Sequence, residues 1–262
     1  MRHARRQIEV PPRSFVPRRA ALLSPGVVPD VDALVEECDL DVLAVLERTT
    51  PIATQRTGQQ TIYQMLQLEE EMHKRGGNCD SAAVYKKKYL DLLDGHIKKR
   101  IESLKHKPQN KECYMVRGAE LLLARLRRAG VICYLASGTD HHYVVQETEL
   151  LGLTSYFEGA DELRIYGARD DYKSFSKKHV IEHIMASHHL QGNQLVAFGD
   201  GYVEIQEMRA IGGIAVGVAS QESGEEGWDL WKKERLLQGG AQILAPDWVE
   251  FDVILDYLGV SK

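Results

Sequence analysis

From about Asp39 to Leu104 the apolar positions recur every three or four residues, the period of helices with one buried face. Thr57-Gly58-Gln59-Gln60 has the spacing of a capping box. Ile62, Met65, Leu66 and Met72 then fall on one side of a helix that Gly76-Gly77 ends. A second helix begins near Asp80 or Ser81 and places Tyr85, Tyr89, Leu92, Leu93, Ile97, Ile101 and Leu104 on one face. Its opposite face holds Lys86, Lys87, Lys88, Lys98 and Lys99. Such a face is either simply solvated or a site for an anionic substrate or partner.

Beyond Pro108 the pattern changes to alternating helix and strand. Leu121, Leu122, Leu123 and Leu126 mark a helix ended by Gly130, and the apolar run Val131 to Ala136 follows as a buried strand. A helix over 141–151, an irregular stretch through Tyr156 and Tyr166, and a helix from Ser176 to His189 lead to a second strand, Leu195 to Phe198. A helix from Glu204 to Ala210 and a third strand, Ile214 to Val218, complete the run. The alternation predicts an α/β fold, a parallel sheet with helices on both faces, and ligands in such sheets lie at the carboxyl ends of the strands.

Composition narrows the class. The 262 residues are 44% hydrophobic and 27% charged, ordinary for a globular chain long enough to bury its own core. Cys38, Cys79, Cys113 and Cys133 form no C-x-x-C pair, which argues against a disulfide framework or a cysteine zinc site and fits a reducing cytoplasm. The net charge of -5 gives no reason to expect nucleic acid as a partner. No apolar run approaches the roughly 20 residues that would span a bilayer. Arg2, Arg5, Arg6, Arg13, Arg18 and Arg19, with Pro11, Pro12 and Pro17, read as an irregular leader rather than an amphipathic targeting helix.

Candidate chemistry sits at two strand ends. The first strand runs into Ser137-Gly138-Thr139-Asp140, where a hydroxyl could bind a ligand or merely cap the next helix. The second runs into Gly199-Asp200-Gly201-Tyr202-Val203-Glu204, whose acids lie one helical turn apart. They could put two oxygens beside a hard Mg²⁺ ion, or Asp200 could be an N-cap with Glu204 favoured by the helix dipole. Between the strands, Lys177 and Lys178 enter an amphipathic helix at its N-terminus. The macrodipole disfavours a cation there, which suggests neutralisation of a bound phosphate.

These signals, in this order and spacing, resemble the second, third and fourth motifs of the haloacid-dehalogenase (HAD) superfamily. The similarity covers roughly Val116 to Val218, with Ile243 to Leu258 resembling the closing strand and helix. The resemblance implies a HAD-like Rossmannoid core with a parallel sheet plus an α-helical cap, as in the phosphoglycolate-phosphatase-like branch. It implies a leader over 1–32, a cap over 33–110 and a core over 111–262. The implied activity is hydrolysis of a small phosphorylated metabolite through an aspartyl phosphate. Ser137 and Gly138 would bind phosphoryl oxygens, Lys177 would neutralise charge, and Asp200 would hold Mg²⁺. Glu204, where the family more often has Asp, would support the metal through water or from behind its ligands. Residues of the cap would choose the substrate.

The family's first motif is an apolar strand followed by Asp-x-Asp, a small residue and Thr, and its first Asp is the nucleophile. Its nearest counterpart here is Val27-Val28-Pro29-Asp30-Val31-Asp32-Ala33-Leu34, in which Pro29 interrupts the strand and no threonine follows. The other reading has Asp32 capping a helix through Leu34, Val35 and Cys38. That motif's strand is central in the family's sheet, so without it two neighbours would have unpaired backbone groups. Either Ala20-Ala21-Leu22-Leu23 replaces it, or the chain is N-terminally truncated. A catalytically inactive relative serving as a binding or regulatory module is the alternative function.

His141-His142 and His188-His189 are adjacent pairs that point in different directions and read as surface. Trp228 and Trp231 are expected to pack a helix on the core. Neither a Gly-x-x-x-x-Gly-Lys phosphate loop nor a Gly-x-Gly-x-x-Gly fingerprint occurs.

Overall fold

The computed structural model describes residues 20–23, 60–74, 79–169, 176–221 and 226–260. In chain order these form β1 (Ala20–Leu23), α1 (Thr61–Lys74), α2 (Ala82–His106), α3 (Ala119–Arg128), β2 (Ile132–Asp140), α4 (His141–Leu150) and β3 (Ile165–Ala168). There follow α5 (Lys177–His188), β4 (Leu195–Gly199), α6 (Tyr202–Ala210), β5 (Ile214–Val218), α7 (Leu230–Gly239), β6 (Ile243–Ala245) and α8 (Phe251–Tyr257). The strands make one sheet in the order β3-β2-β1-β4-β5-β6, and every pairing is parallel. This is the α/β architecture that the strand-helix alternation predicts.

The apolar runs of β2, β4, β5 and β6 are buried on both sides, so their side chains divide between two layers with period two. Cys133 and Leu135 of β2, with Val196 and Phe198 of β4, pack against Leu122, Leu126, Val144, Ile254 and Leu255 from α3, α4 and α8. Tyr134 and Ala136, with Leu195 and Ala197, pack against Val180, Ile181, Ile184, Ile205, Met208 and Leu236 from α5, α6 and α7. Each fully buried Leu, Ile or Phe contributes about 1.5–3 kcal/mol. A third cluster, Ile62, Met65, Ala82 and Tyr89, joins α1 to α2 apart from the sheet.

Strand β1 sits at the centre. Ala20 to Leu23 pair with Ile132 to Leu135 on one side and with Leu195 to Phe198 on the other. Part of the stretch read as an irregular leader is therefore the replacement strand, because the backbone donors and acceptors of β2 and β4 need a partner there. Two further expectations change. The stretch through Tyr166 contains the edge strand β3, paired to β2 with a register shift between Ala136 and Asp140. Trp231 is 51% exposed beneath the Arg235 guanidinium, whereas Trp228 does pack on the core. Asp30, Asp32, Cys38, the Thr57 capping box and Gly76-Gly77 lie outside the described residues.

Helix α2 meets β2 and α4 through polar contacts. Lys86 Nζ lies 2.6 Å from Asp140 Oδ1, and the Tyr143 hydroxyl donates to Asp94 Oδ2 at 2.9 Å. Lys87 and Lys88 make exposed pairs with Asp91 and Asp80, as a solvated helix face does. No helix among the described residues is long and apolar enough to cross a membrane.

A proline at Leu22 removes a ladder donor from the middle of β1. Each buried partner left unpaired costs about 1–3 kcal/mol. Leu22→Pro is expected to lower the urea midpoint sharply, and an unchanged midpoint would count against a central β1. A second expectation concerns Glu147 on α4, whose carboxyl burial pushes above its ordinary value of 4.5. The folded state then holds the proton more tightly than the unfolded one, so this group disfavours folding increasingly as pH rises through its folded pKa. Glu147→Gln should raise Tm near neutral pH by a few degrees and leave it unchanged below pH 4.5.

Candidate active site

The parallel order 3-2-1-4-5-6 reverses direction at β1, and the crevice at such a point, outside the strands' carboxyl ends, is where ligands bind. Leu23 pairs with Leu135 and with Phe198. Ser137 is two residues past Leu135 and Asp200 two past Phe198, so they stand level on either side of the end of β1. Ser137 is buried, and its Oγ accepts from the Thr139 N–H at 3.1 Å; Gly138 beside it is half-buried. Asp140 lies at the N-cap position of α4 but makes no side-chain cap, its carboxylate being drawn instead to Lys86.

Two acids head α6, and both face cations. Glu204 is 2% exposed: Oε2 lies 2.9 Å from Lys177 Nζ, and Oε1 accepts from the Gly201 N–H at 2.8 Å. The glycines flanking Asp200 leave room for that carboxylate. A Cβ at Gly199 would come within 2.8 Å of Glu204 Oε1, and one at Gly201 within 2.4 Å of Oε2. Lys177 lies in the first turn of α5, where Ser176 Oγ caps the helix by accepting from the His179 N–H at 3.1 Å. Lys178, the neighbour, is exposed beside Glu182. A cation in a first turn opposes the helix dipole, so the Glu204 carboxylate is what makes its burial tolerable.

Asp200 faces a lysine that the sequence analysis missed. Lys232 is 6% exposed in the first turn of α7, and its Nζ is 3.6 Å from Asp200 Oδ2. Asp229 caps that turn, Oδ1 accepting from the Lys232 N–H at 2.9 Å. The signal was available: Lys232-Lys233, like Lys177-Lys178, is a lysine pair opening a helix after a strand. Its distance from the Gly-Asp turn, 32 positions along the chain, concealed the relation.

The donor set bears on Mg²⁺. That ion takes six oxygens, commonly one or two from protein carboxylates and the rest from water and phosphate. Both oxygens of Glu204 are engaged, and Asp200 is in ion-pair contact with an ammonium. Asp200 and Glu204 therefore do not fit Mg²⁺ as a ligand pair. The nucleophile expected at the end of the central strand is also not there in sequence: Leu23 is followed by Ser24-Pro25-Gly26, and the first acid after β1 is Asp30.

The fold and this arrangement define an α/β protein whose candidate site lies at the carboxyl ends of its central parallel strands. The chain belongs to the haloacid dehalogenase-like hydrolase family, whose sequence profile matches residues 39–218. The match begins past β1, Asp30 and Asp32. No curated protein matches the chain. Among solved structures it is similar to a predicted phosphatase from Clostridium acetobutylicum, at 17% identity and a TM-score of 0.54, covering 93% of this chain and 100% of that one. A β-phosphoglucomutase from Clostridium difficile is similar at 11% identity and a TM-score of 0.58, with 92% and 97% covered. A HAD family hydrolase from Deinococcus radiodurans, with bound phosphate and sodium, is similar at 18% identity and a TM-score of 0.53, with 94% and 98% covered. At these identities the structural similarity shows a shared fold alone.

Lys177→Met should leave the Glu204 carboxylate buried without its cation, at a cost of about 3–5 kcal/mol. Lys177→Met/Glu204→Gln should regain most of the loss in urea unfolding. Additive losses would show that the two groups do not act as a pair.

Proposed function

We propose that the chain is a phosphohydrolase for a small phosphorylated metabolite, binding its phosphate over the end of β1. The observation that carries this reading is the placement of buried Ser137 and half-buried Asp200 level across β1, with buried Lys177 held at the head of α6. The Ser137 hydroxyl and Gly138 N–H would donate to phosphoryl oxygens. Lys177 would offset the charge that develops on them, as fixed donors and cations do in phosphoryl transfer. Hydrolysis proceeds by attack of a carboxylate oxygen on phosphorus, release of the substrate alkoxide with a proton, and cleavage of the acyl phosphate by water to inorganic phosphate. The carboxylates nearest β1 in sequence are Asp30, as nucleophile, and Asp32, as the acid and base.

Ser24-Pro25-Gly26 after β1 favours a second reading, a phosphate-binding relative without turnover. Hydrolysis of a generic aryl phosphate, with and without Mg²⁺, separates the two. For an enzyme, Asp30→Asn should abolish turnover. Ser137→Ala should lower kcat/KM about 10–100-fold, the worth of one hydrogen bond to a charged group. Absence of turnover in a cooperatively folded parent would leave the binding module.

A further inference from the structure

We infer that Lys232 is the resident cation of Asp200, so that the crevice takes a phosphate dianion without a divalent metal at that carboxylate. Lys232 is buried as deeply as Lys177, at 6% exposure each. Burial of an ammonium in a helix's first turn is doubly costly, through desolvation and through the dipole. The Asp229 cap fixes the turn, and the side chain reaches across to Asp200 Oδ2 at 3.6 Å. Arg235, one turn further along α7, lies over the Tyr202 ring of α6 at 6.0 Å, so the helices bearing Lys232 and following Asp200 are in contact.

Charge balance then decides what the crevice accepts. The carboxylate of Glu204 faces the ammonium group of Lys177, and that of Asp200 the ammonium group of Lys232. A Mg²⁺ ion bound to Asp200 would bring two positive charges next to a buried ammonium, and Glu204, the other acid of the turn, is already engaged by Lys177 and the Gly201 N–H. An incoming phosphate meets the opposite situation, with cations already in position. The choice of phosphate as the anion rests on the function proposed above; the exclusion of Mg²⁺ does not.

The test uses the full chain, with calorimetric titration and Tm measured for MgCl₂ and inorganic phosphate separately and together. The parent should bind phosphate equally well in EDTA and in Mg²⁺, and Mg²⁺ alone should leave its Tm unchanged. Lys232→Met should lose about tenfold in phosphate affinity without Mg²⁺. Added Mg²⁺ should restore that affinity and raise the variant's Tm. Saturable Mg²⁺ binding by the parent that Asp200→Asn removes would overturn the inference, and this arm needs no Lys232 variant to fold. A Mg²⁺ response unchanged by Lys232→Met would overturn it as well. Failure of every form to bind phosphate would instead sink the phosphate reading, with the Mg²⁺ titrations still judging Lys232.

Discussion

Backbone pairing at the centre of a parallel sheet constrains everything else in this chain. β2 and β4 each present a buried edge that only a strand between them can satisfy, and four residues, Ala20 to Leu23, supply it. The same pairing sets the height at which Ser137 and Asp200 emerge. It also brings together two loops that are 63 positions apart in sequence. Without β1 the sheet would divide into β3-β2 and β4-β5-β6, and there would be no shared crevice for their ends to line.

Given that crevice, the buried charges follow from elementary electrostatics. Glu204 and Asp200 lie at the start of one helix, and each would be costly to bury alone. Lysines from the first turns of α5 and α7 compensate them from two directions. Both are fixed by an N-cap, Ser176 in one case and Asp229 in the other, so the cations are held by their backbones before any ligand arrives. A site prepared in this way loses little on ordering when an anion binds.

Much of this was legible in the sequence, for identifiable reasons. Runs such as Leu195 to Phe198 are long and apolar enough to announce buried strands, and Ser137, Lys177 and Asp200 each follow or open such an element. What escaped was set by tertiary context. β3 is four residues long at a sheet edge, and β1 is four small or apolar residues in a basic leader; neither has a periodicity that separates it from a loop. Trp231 was expected inside because its size suggests burial, whereas the guanidinium of Arg235 accommodates it at the surface.

Lys232 is the instructive omission. The helix dipole opposes a lysine that opens a helix, which marks Lys177 as a functional candidate and applies equally at Lys232. What set the two apart was proximity to a recognised motif, which has no bearing on the cost of burying an ammonium. Applied without regard to motif, the criterion selects both lysines that the structure buries and pairs with the acids of α6. Lys178 and Lys233, which open the same two helices, meet the criterion as well, and they lie instead beside Glu182 and over the Trp228 ring. A cation placed against a helix dipole needs an anion, and in a parallel sheet the available anions lie at the carboxyl ends of the strands.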